Sequence, residues 1–343
     1  MAESKLNIII VGSGLAGLGA ATATGGQGIC LFSNCVKILQ SMGLDADRSG
    51  GVPCHDYRLF DKAGKRLKDF PIDFKGRYGV DTLTMKRSYF REELLMLATA
   101  PPADGIKGEP VRMVFNTAVA EVNPEAASAT LHDGSVVRGD AVIIADGVHS
   151  RLRKRITGDE THRAKKNGDT CYRIASSFAK LKEALGYLPE WWDPETADSR
   201  ISALQTLDDM NRLVAEESWY ANGDRKELIS TFADFYELIR KILRELTAIA
   251  LPKRSRFGTF RTWVLSQTDT EDVPSIRLLL PGMDEDDIKS VLSKIDAVRR
   301  PRAAKVLQDT RLQADEITRE ERLANMDYNC GYNGVYEALK ELE

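Results

Sequence analysis

The stretch LNIIIVGSGLAG, residues 6–17, decides how this chain is read. Residues 6–11 are apolar and β-branched, the composition of a strand buried on both faces. Gly12, Gly14 and Gly17 then form G-x-G-x-x-G, and the Ala- and Gly-rich residues 15–24 suit a helix packed tightly on that strand. In such a unit the first glycine permits the turn and the second lets a pyrophosphate approach the backbone. The third lets helix and strand close up. Free N–H groups at the helix start favour phosphates. The pattern predicts nucleotide binding; its plain alternative is a tight strand-to-helix turn with no ligand.

A dinucleotide-binding unit should continue into a second strand ending in Asp or Glu, which holds a ribose. Here AATATGGQGICLF (20–32) follows, and no acidic residue occurs between Lys5 and Asp45.

Composition narrows the class. The 343 residues suit two domains, or one large enzyme fold with a substrate layer. Hydrophobic content of 43% is ordinary for a soluble globular protein, and a net charge of -3 gives no reason to expect nucleic acid. Five cysteines without CxxC spacing and four scattered histidines make no metal cluster. They read as buried free thiols in a reducing compartment. The start, MAESKLNIIIVGSG, leads its apolar run into a glycine turn, not a cleavage site, and no run approaches membrane-spanning length. A cytoplasmic protein without membrane contact is expected.

Further along, the pattern predicts a helix over 33–44 with Ser33 or Asn34 as its cap, a hairpin over 57–70, and a helix over 88–99 ended by Pro101 and Pro102. Short strands are predicted at 111–114, 118–122, 129–131 and 141–145, with HDGS (132–135) as a tight turn. Residues 170–174 suit a strand, and 225–246 form an amphipathic helical region. From Asp284 onward the chain reads as charged helix that Pro301 kinks or restarts.

A second motif is DAVIIADGVHSRLRKRI, residues 140–156. A buried strand runs into Asp146 and Gly147, and Ser150 can cap a short helix carrying Arg151 and Arg153. Alone this is any strand leaving a sheet with a solvated basic helix after it. His149 most simply shapes the turn, and Trp191, Trp192 and Trp219 suit core packing as well as a pocket wall.

Taken together, the two motifs resemble those of the class A flavin-dependent aromatic hydroxylases, the salicylate hydroxylase and p-hydroxybenzoate hydroxylase group. That family carries GxGxxG at the N-terminus and ADG-x-x-S-x-x-R near the middle, here residues 12–17 and 145–153. GGQGICLFSNCVKILQSMGL (25–44) resembles the family segment beside the flavin. TMKRSYFREELL (84–95) resembles its arginine helix start, with Arg87 at the arginine that touches flavin. GDTCYRI (168–174) resembles the strand entering the substrate domain. RRPRAAKV (299–306) and NMDYNCGYNGVYEAL (325–339) resemble the C-terminal helices of fungal members.

The resemblance implies an α/β fold: a Rossmann-like FAD-binding domain, a mixed β-sheet substrate domain and C-terminal helices. Residues 1–75 and 105–165 would bind FAD, with 265–343 packed on them; 76–104 and 166–264 would bind substrate. Gly12, Gly14 and Gly17 would meet the FAD pyrophosphate, and Gln27, Gly28, Arg87, Asp146 and Gly147 would line the flavin. Tyr172 and Arg173 are the candidates for substrate contact, where an arginine could orient a carboxylate or phenolate; otherwise they are ordinary strand residues. The implied reaction is aromatic hydroxylation. NADPH or NADH reduces the flavin, O₂ forms a hydroperoxide at its C4a carbon, and the oxygen passes to a phenolic ring. A homodimer is compatible with this reading.

Three departures stand against it. The ribose acid is absent. The family's Gly-Asp flavin fingerprint, due after the 225–250 region, is absent from LPKRSRFGTFRTWVLSQTDTEDVPSIRLLLPGMDEDD (251–287). Ile144 replaces a glycine before Ala-Asp-Gly, a small change. The first two losses resemble excisions, since the flanking segments match. We therefore expect internal segments to be missing, with junctions near Thr24 and Gly25 and within 247–265. Two other readings stay open: a truncated non-catalytic paralogue acting as a binding or scaffold protein, and a different FAD- or NAD-binding oxidoreductase. The absence of a catalytic tyrosine–lysine pair argues against the latter.

Overall fold

A computed structural model describes residues 6–12, 28–102, 109–147, 150–158, 170–173, 178–188, 224–249, 253–256, 273–309 and 318–341. Strand β1 (Ile8–Val11) is followed by β2 (Gly28–Leu31) and helix α1 (Ser33–Gln40). Then come β3 (Val52–Pro53), the hairpin β4 (Asp56–Phe60) and β5 (Arg66–Pro71), α2 (Phe74–Tyr78), β6 (Leu83–Lys86) and α3 (Arg87–Thr99). The meander β7 (Val119–Asn123), β8 (Ser128–Leu131) and β9 (Val136–Arg138) leads into β10 (Ala141–Ile144) and α4 (Arg153–Thr157). Strand β11 (Thr170–Arg173), α5 (Phe178–Leu185), α6 (Arg225–Thr231), α7 (Glu237–Ile249) and β12 (Lys253–Arg256) follow. The chain closes with α8 (Glu285–Asp309), α9 (Arg319–Cys330) and α10 (Val335–Lys340).

The sequence reading holds for the hairpin, the meander and most helices, and departs at four places. Helix α1 stops at Gln40, and neither Ser33 nor Asn34 caps it; both are buried, and Ser33 instead meets Thr82 across 3.2 Å between hydroxyls. Residues 111–114 form no strand, and Val111, Val114 and Phe115 are exposed. Pro301 lies inside α8, which runs through it as one helix. The 225–246 region divides into α6 and α7, because the Phe232–Phe235 turn folds its aromatic rings back onto Leu228 and Leu243. The predicted 15–24 helix lies outside the described residues.

Two sheets matter for the site. In the first, β1 and β10 pair in parallel, in register from Ile8 with Ala141 to Val11 with Ile144. Parallel strands cannot be joined by a hairpin, so the chain between them must cross over. The meander lies under this pair: Val11, Val122, Ala129 and Leu152 share one buried cluster. In the second sheet, β2 and β3 flank β6, both antiparallel to it. Helices α1 and α3 cover its face, and Val36, Leu39, Leu83, Met85 and Phe90 fill the space between. Elsewhere α5 packs on α7 through Leu181, Leu185 and Ile242. The tip of the β4–β5 hairpin reaches this helical group, where the Tyr236 N–H donates to the Lys62 carbonyl at 2.8 Å.

The C-terminal helices lock onto α1 and α2. Phe74, Tyr78 and Cys330 form a buried cluster. Burial pushes the Cys330 thiol up to about 12, more than Lys37 and the Ser33 backbone pull it down. The Arg302 guanidinium is buried, stacks 3.9 Å from the Tyr332 ring centroid and donates to the Tyr328 carbonyl at 3.0 Å. Asp327 accepts from Arg77 at 2.7 Å and from the Tyr78 hydroxyl at 2.8 Å. Desolvation raises its pKa, but these two donors together lower it below the usual 3.8.

A depressed carboxylate stabilises the fold above its ordinary pKa and loses that contribution as pH falls through its folded-state value. The Asp327 side chain is 45% exposed, so screening holds the contribution to about 1 kcal/mol or less. Asp327→Asn is therefore expected to lower the urea midpoint at pH 7, with the gap from wild type closing below about pH 3. A gap that stays constant between pH 7 and pH 2 would contradict this.

Candidate functional site

The parallel pairing of β1 and β10 brings the two sequence motifs together. Past the last register pair, the Ala145 N–H donates to the Val11 carbonyl at 2.7 Å. At the other end the Asp140 N–H donates to the Asn7 carbonyl at 2.7 Å, and the Asn7 N–H donates to the Asp140 carboxylate at 2.6 Å. Gly12 follows at the carboxyl end of β1 with φ +109°, a conformation that side chains disfavour. A Cβ there would lie 2.3 Å from the Ala145 carbonyl oxygen and 2.7 Å from the Asp146 nitrogen. The glycine turn and the Ala145–Asp146 peptide are thus pressed against each other at the carboxyl ends of two parallel strands. That is where open α/β sheets bind ligands.

Beyond it, Asp146 is half-buried and Gly147 exposed. The Gly147 carbonyl accepts from the Ser150 N–H and from the Arg153 guanidinium, each at 3.1 Å. Ser150 was expected to cap this helix, but the cap position is Leu152; the Ser150 hydroxyl instead accepts the Arg153 N–H at 3.0 Å from the turn before it. Arg151 lies one residue before Leu152, outside α4, and Leu152 is buried under the sheet. The basic helix is therefore more than a solvated face: Arg153 turns back and braces the loop after Asp146. The only sequence signal for this was the short S-x-x-R spacing.

The second sheet brings Gly28 beside the start of α3. Gly28 pairs with Lys86, and Arg87 is the first residue of the helix; Gly28 and Arg87 are both exposed. Tyr172 and Arg173 lie in β11, in register with Arg254 and Lys253 of β12. Gly14, Gly17, Gln27, His149, Trp191, Trp192 and Trp219 lie outside the described residues, as do Thr24 and Gly25. No group of His, Cys, Asp and Glu fit to hold a metal ion occurs among the described residues, and no described helix is long and apolar enough to cross a membrane.

No family model matches the chain. Curated relatives do. It is 28% identical over 150 residues to the FAD-dependent monooxygenase phomE' of Diaporthe leptostromiformis, covering 43% of this chain and 37% of that protein. It is 30% identical over 182 residues to the 6-hydroxynicotinate 3-monooxygenase of Bordetella bronchiseptica, covering 46% of this chain and 45% of that protein. The matches thus span about two fifths of the length of these relatives. Among solved structures, a salicylate hydroxylase substrate complex superposes with TM-score 0.67 at 18% identity, over 99% of this chain and 98% of that one. CtdE in complex with FAD and its substrate superposes with TM-score 0.67 at 17% identity, over 98% of this chain and all of that one. The fold is the α/β fold of the FAD-dependent hydroxylases over nearly the full chain. In sequence the chain is thus distantly similar to FAD-dependent monooxygenases of fungi and bacteria, and it shares the fold of a salicylate hydroxylase.

FAD fits one half of this site. Gly12 makes the tight turn that opens a pyrophosphate-binding loop, and the Ala145–Asp146 peptide packed on it leaves room for no side chain there. The ribose half differs, since residues 6–44 contain no carboxylate to receive a sugar hydroxyl.

Gly12→Ala combines a disfavoured φ with a backbone clash that no rotamer relieves. It is expected to cost about 2–3 kcal/mol of stability, read as a lower urea midpoint. An unchanged midpoint would mean that the turn and the Ala145–Asp146 peptide are not packed in this way.

Proposed function

We propose that this chain is an FAD-dependent, NAD(P)H-using monooxygenase that hydroxylates an aromatic or phenolic small molecule. The observation that carries the reading is the contact of the Gly12 turn with the Ala145–Asp146 peptide at the carboxyl ends of β1 and β10. It joins the two family motifs in the one crevice where this fold class takes a dinucleotide.

In this reading Gly12, Gly14 and Gly17 receive the FAD pyrophosphate. Asp146 and Gly147 lie beside the cofactor, with Arg153 holding their loop in shape. Gln27, Gly28 and Arg87 line the flavin side. Bound FAD supplies the redox and oxygen-transfer chemistry, with NADPH or NADH as reductant and O₂ as oxidant. The protein's share is to orient the ring and keep water out. Tyr172 and Arg173 are the proposed substrate contacts, Arg173 pairing with a carboxylate or phenolate. Residues 1–75 and 105–165 form the cofactor domain, with 265–343 packed on it. Residues 76–104 and 166–264 form the substrate domain. A cytoplasmic homodimer accords with the free thiols.

The absence of a ribose acid favours a second reading, a non-catalytic paralogue that binds a partner. Alignment lengths favour missing internal segments instead. The match to the FAD-dependent monooxygenase ntnJ of Nectria sp. runs over 276 residues yet takes in 70% of this chain, about 240 residues. It therefore crosses stretches for which this chain has no counterpart.

Two measurements divide the readings. The intact mass of protein purified from its natural source is expected to exceed the 38.1 kDa of this chain. A matching mass would mean that the acid is truly absent and would put the binding-protein reading first. The purified protein is also expected to carry a flavin absorbance band, and Asp146→Ala to weaken FAD binding by roughly tenfold or more. Protein that takes up no flavin at either mass would exclude the monooxygenase.

A further inference from the structure

One acid of α3 is buried where neither the cofactor motif nor the hydrophobic core calls for it. Glu93 is 3% exposed, and its carboxylate is held from outside the helix. One oxygen accepts the Arg48 Nε–H at 2.7 Å; the other accepts a second guanidinium N–H of Arg48 and the Asp45 N–H at 3.1 Å. Arg48 also donates to the Gly43 carbonyl at 3.1 Å, and its N–H donates to the Asp45 carboxylate at 2.8 Å. The loop after α1 is thereby tied to the middle of α3 at a single carboxylate.

One turn toward the N-terminus the same loop makes a second contact. Gly50, at φ +61°, lies under the Tyr89 ring, and a Cβ there would come within 3.1 Å of it. The Lys86 ammonium sits over the other part of this stripe, 4.8 Å from the Tyr89 ring centroid. Tyr89 and Glu93 stand four residues apart on one side of α3, and Lys86 is the extended residue just before the helix. Phe90 and Leu97, three residues before and four after Glu93, pack beside it with Leu94 in the cluster against the sheet. Apolar packing alone lets a helix shift about its axis, whereas the bidentate Arg48–Glu93 pair restrains its roll. The direction in which its first residue, Arg87, leaves the helix is then fixed beside Gly28, the partner of Lys86.

We propose that Glu93 is a positioning residue: through Arg48 and the 43–51 loop it sets the roll of α3 and so aims Arg87 at the flavin. The inference rests on the functional reading above. An apolar residue at 93 would pack α3 as well, but it would not fix the helix to one loop at one angle. A bidentate carboxylate–guanidinium pair has that directionality.

The test is a double-mutant cycle on the full chain, with FAD affinity and the visible circular dichroism of bound flavin as readouts. Glu93→Gln is expected to weaken FAD binding roughly tenfold and change the flavin dichroism, while producing no further change in an Arg87→Ala background. Arg48→Lys, at a half-exposed position that tolerates exchange, is expected to show the same pattern in milder form. It serves as the test if Glu93→Gln does not fold by far-UV dichroism. An effect of equal size with and without Arg87 would overturn the proposal, as would unchanged affinity and dichroism in a folded variant. Wild-type protein that binds no FAD would remove the functional reading, and this proposal with it. Wild-type binding with an inert Glu93 would remove the proposal alone.

Discussion

A glycine hydrogen set against a peptide bond holds this architecture together. Gly12 leaves β1 so close to the Ala145–Asp146 peptide that no side chain could stand between them. The approach is possible only because β1 and β10 are parallel neighbours in strict register, from Ile8 with Ala141 to Val11 with Ile144. Residues 133 apart in sequence, Asn7 and Asp140, tie the opposite end. Everything between must therefore arrange itself as a crossover, and the two segments that carry the nucleotide chemistry emerge side by side. The meander and Leu152 then seal the underside, and Arg153 braces the loop beyond.

What was legible in the sequence follows the range of the forces involved. The glycine turn, the Ala-Asp-Gly segment and the S-x-x-R turn are local patterns, and their local geometry follows from backbone sterics and one hydrogen bond. The hairpin at 56–71 and the meander at 119–138 declare themselves by alternation and turn residues. The misread features depend on distant partners. Ser33 looks like a helix cap, yet its hydroxyl lies against Thr82, and tertiary packing overrides the local preference. Glu93 looks like one more surface acid in a charged helix, and nothing within several residues marks it for burial. Its partner Arg48 is 45 residues away. Arg302 is similar: a charged helix suggests a solvated side chain, and the stacked Tyr332 and the carbonyls of α9 help make its burial tolerable. Pro301 was expected to kink or restart the helix, and α8 does not restart there but continues from Glu285 to Asp309.

The strand contexts of β1 and residues 111–115 bear on whether the chain can serve its proposed role. A run such as Ile8–Val11 belongs in the middle of a parallel sheet, with neighbours on both edges and cover on both faces. Among the described residues it pairs on one edge only, and Ile10 is 40% exposed. The second anomaly has the same form. VRMVF, 111–115, has the composition of a buried strand yet forms none, with Val114 63% and Phe115 51% exposed. The Val111 N–H donates instead to the Ala98 carbonyl of α3 at 2.8 Å. In the family that the sequence resembles, a second strand follows the glycine turn. The place where a ribose acid should occur in the sequence, after the glycine turn, is where such a strand would belong. A missing carboxylate is what an absent internal segment would produce, and the matching segments on either side accord with that. Loss by drift would have replaced the acid and kept the strand, because an unpaired apolar edge is costly whether or not a cofactor is bound.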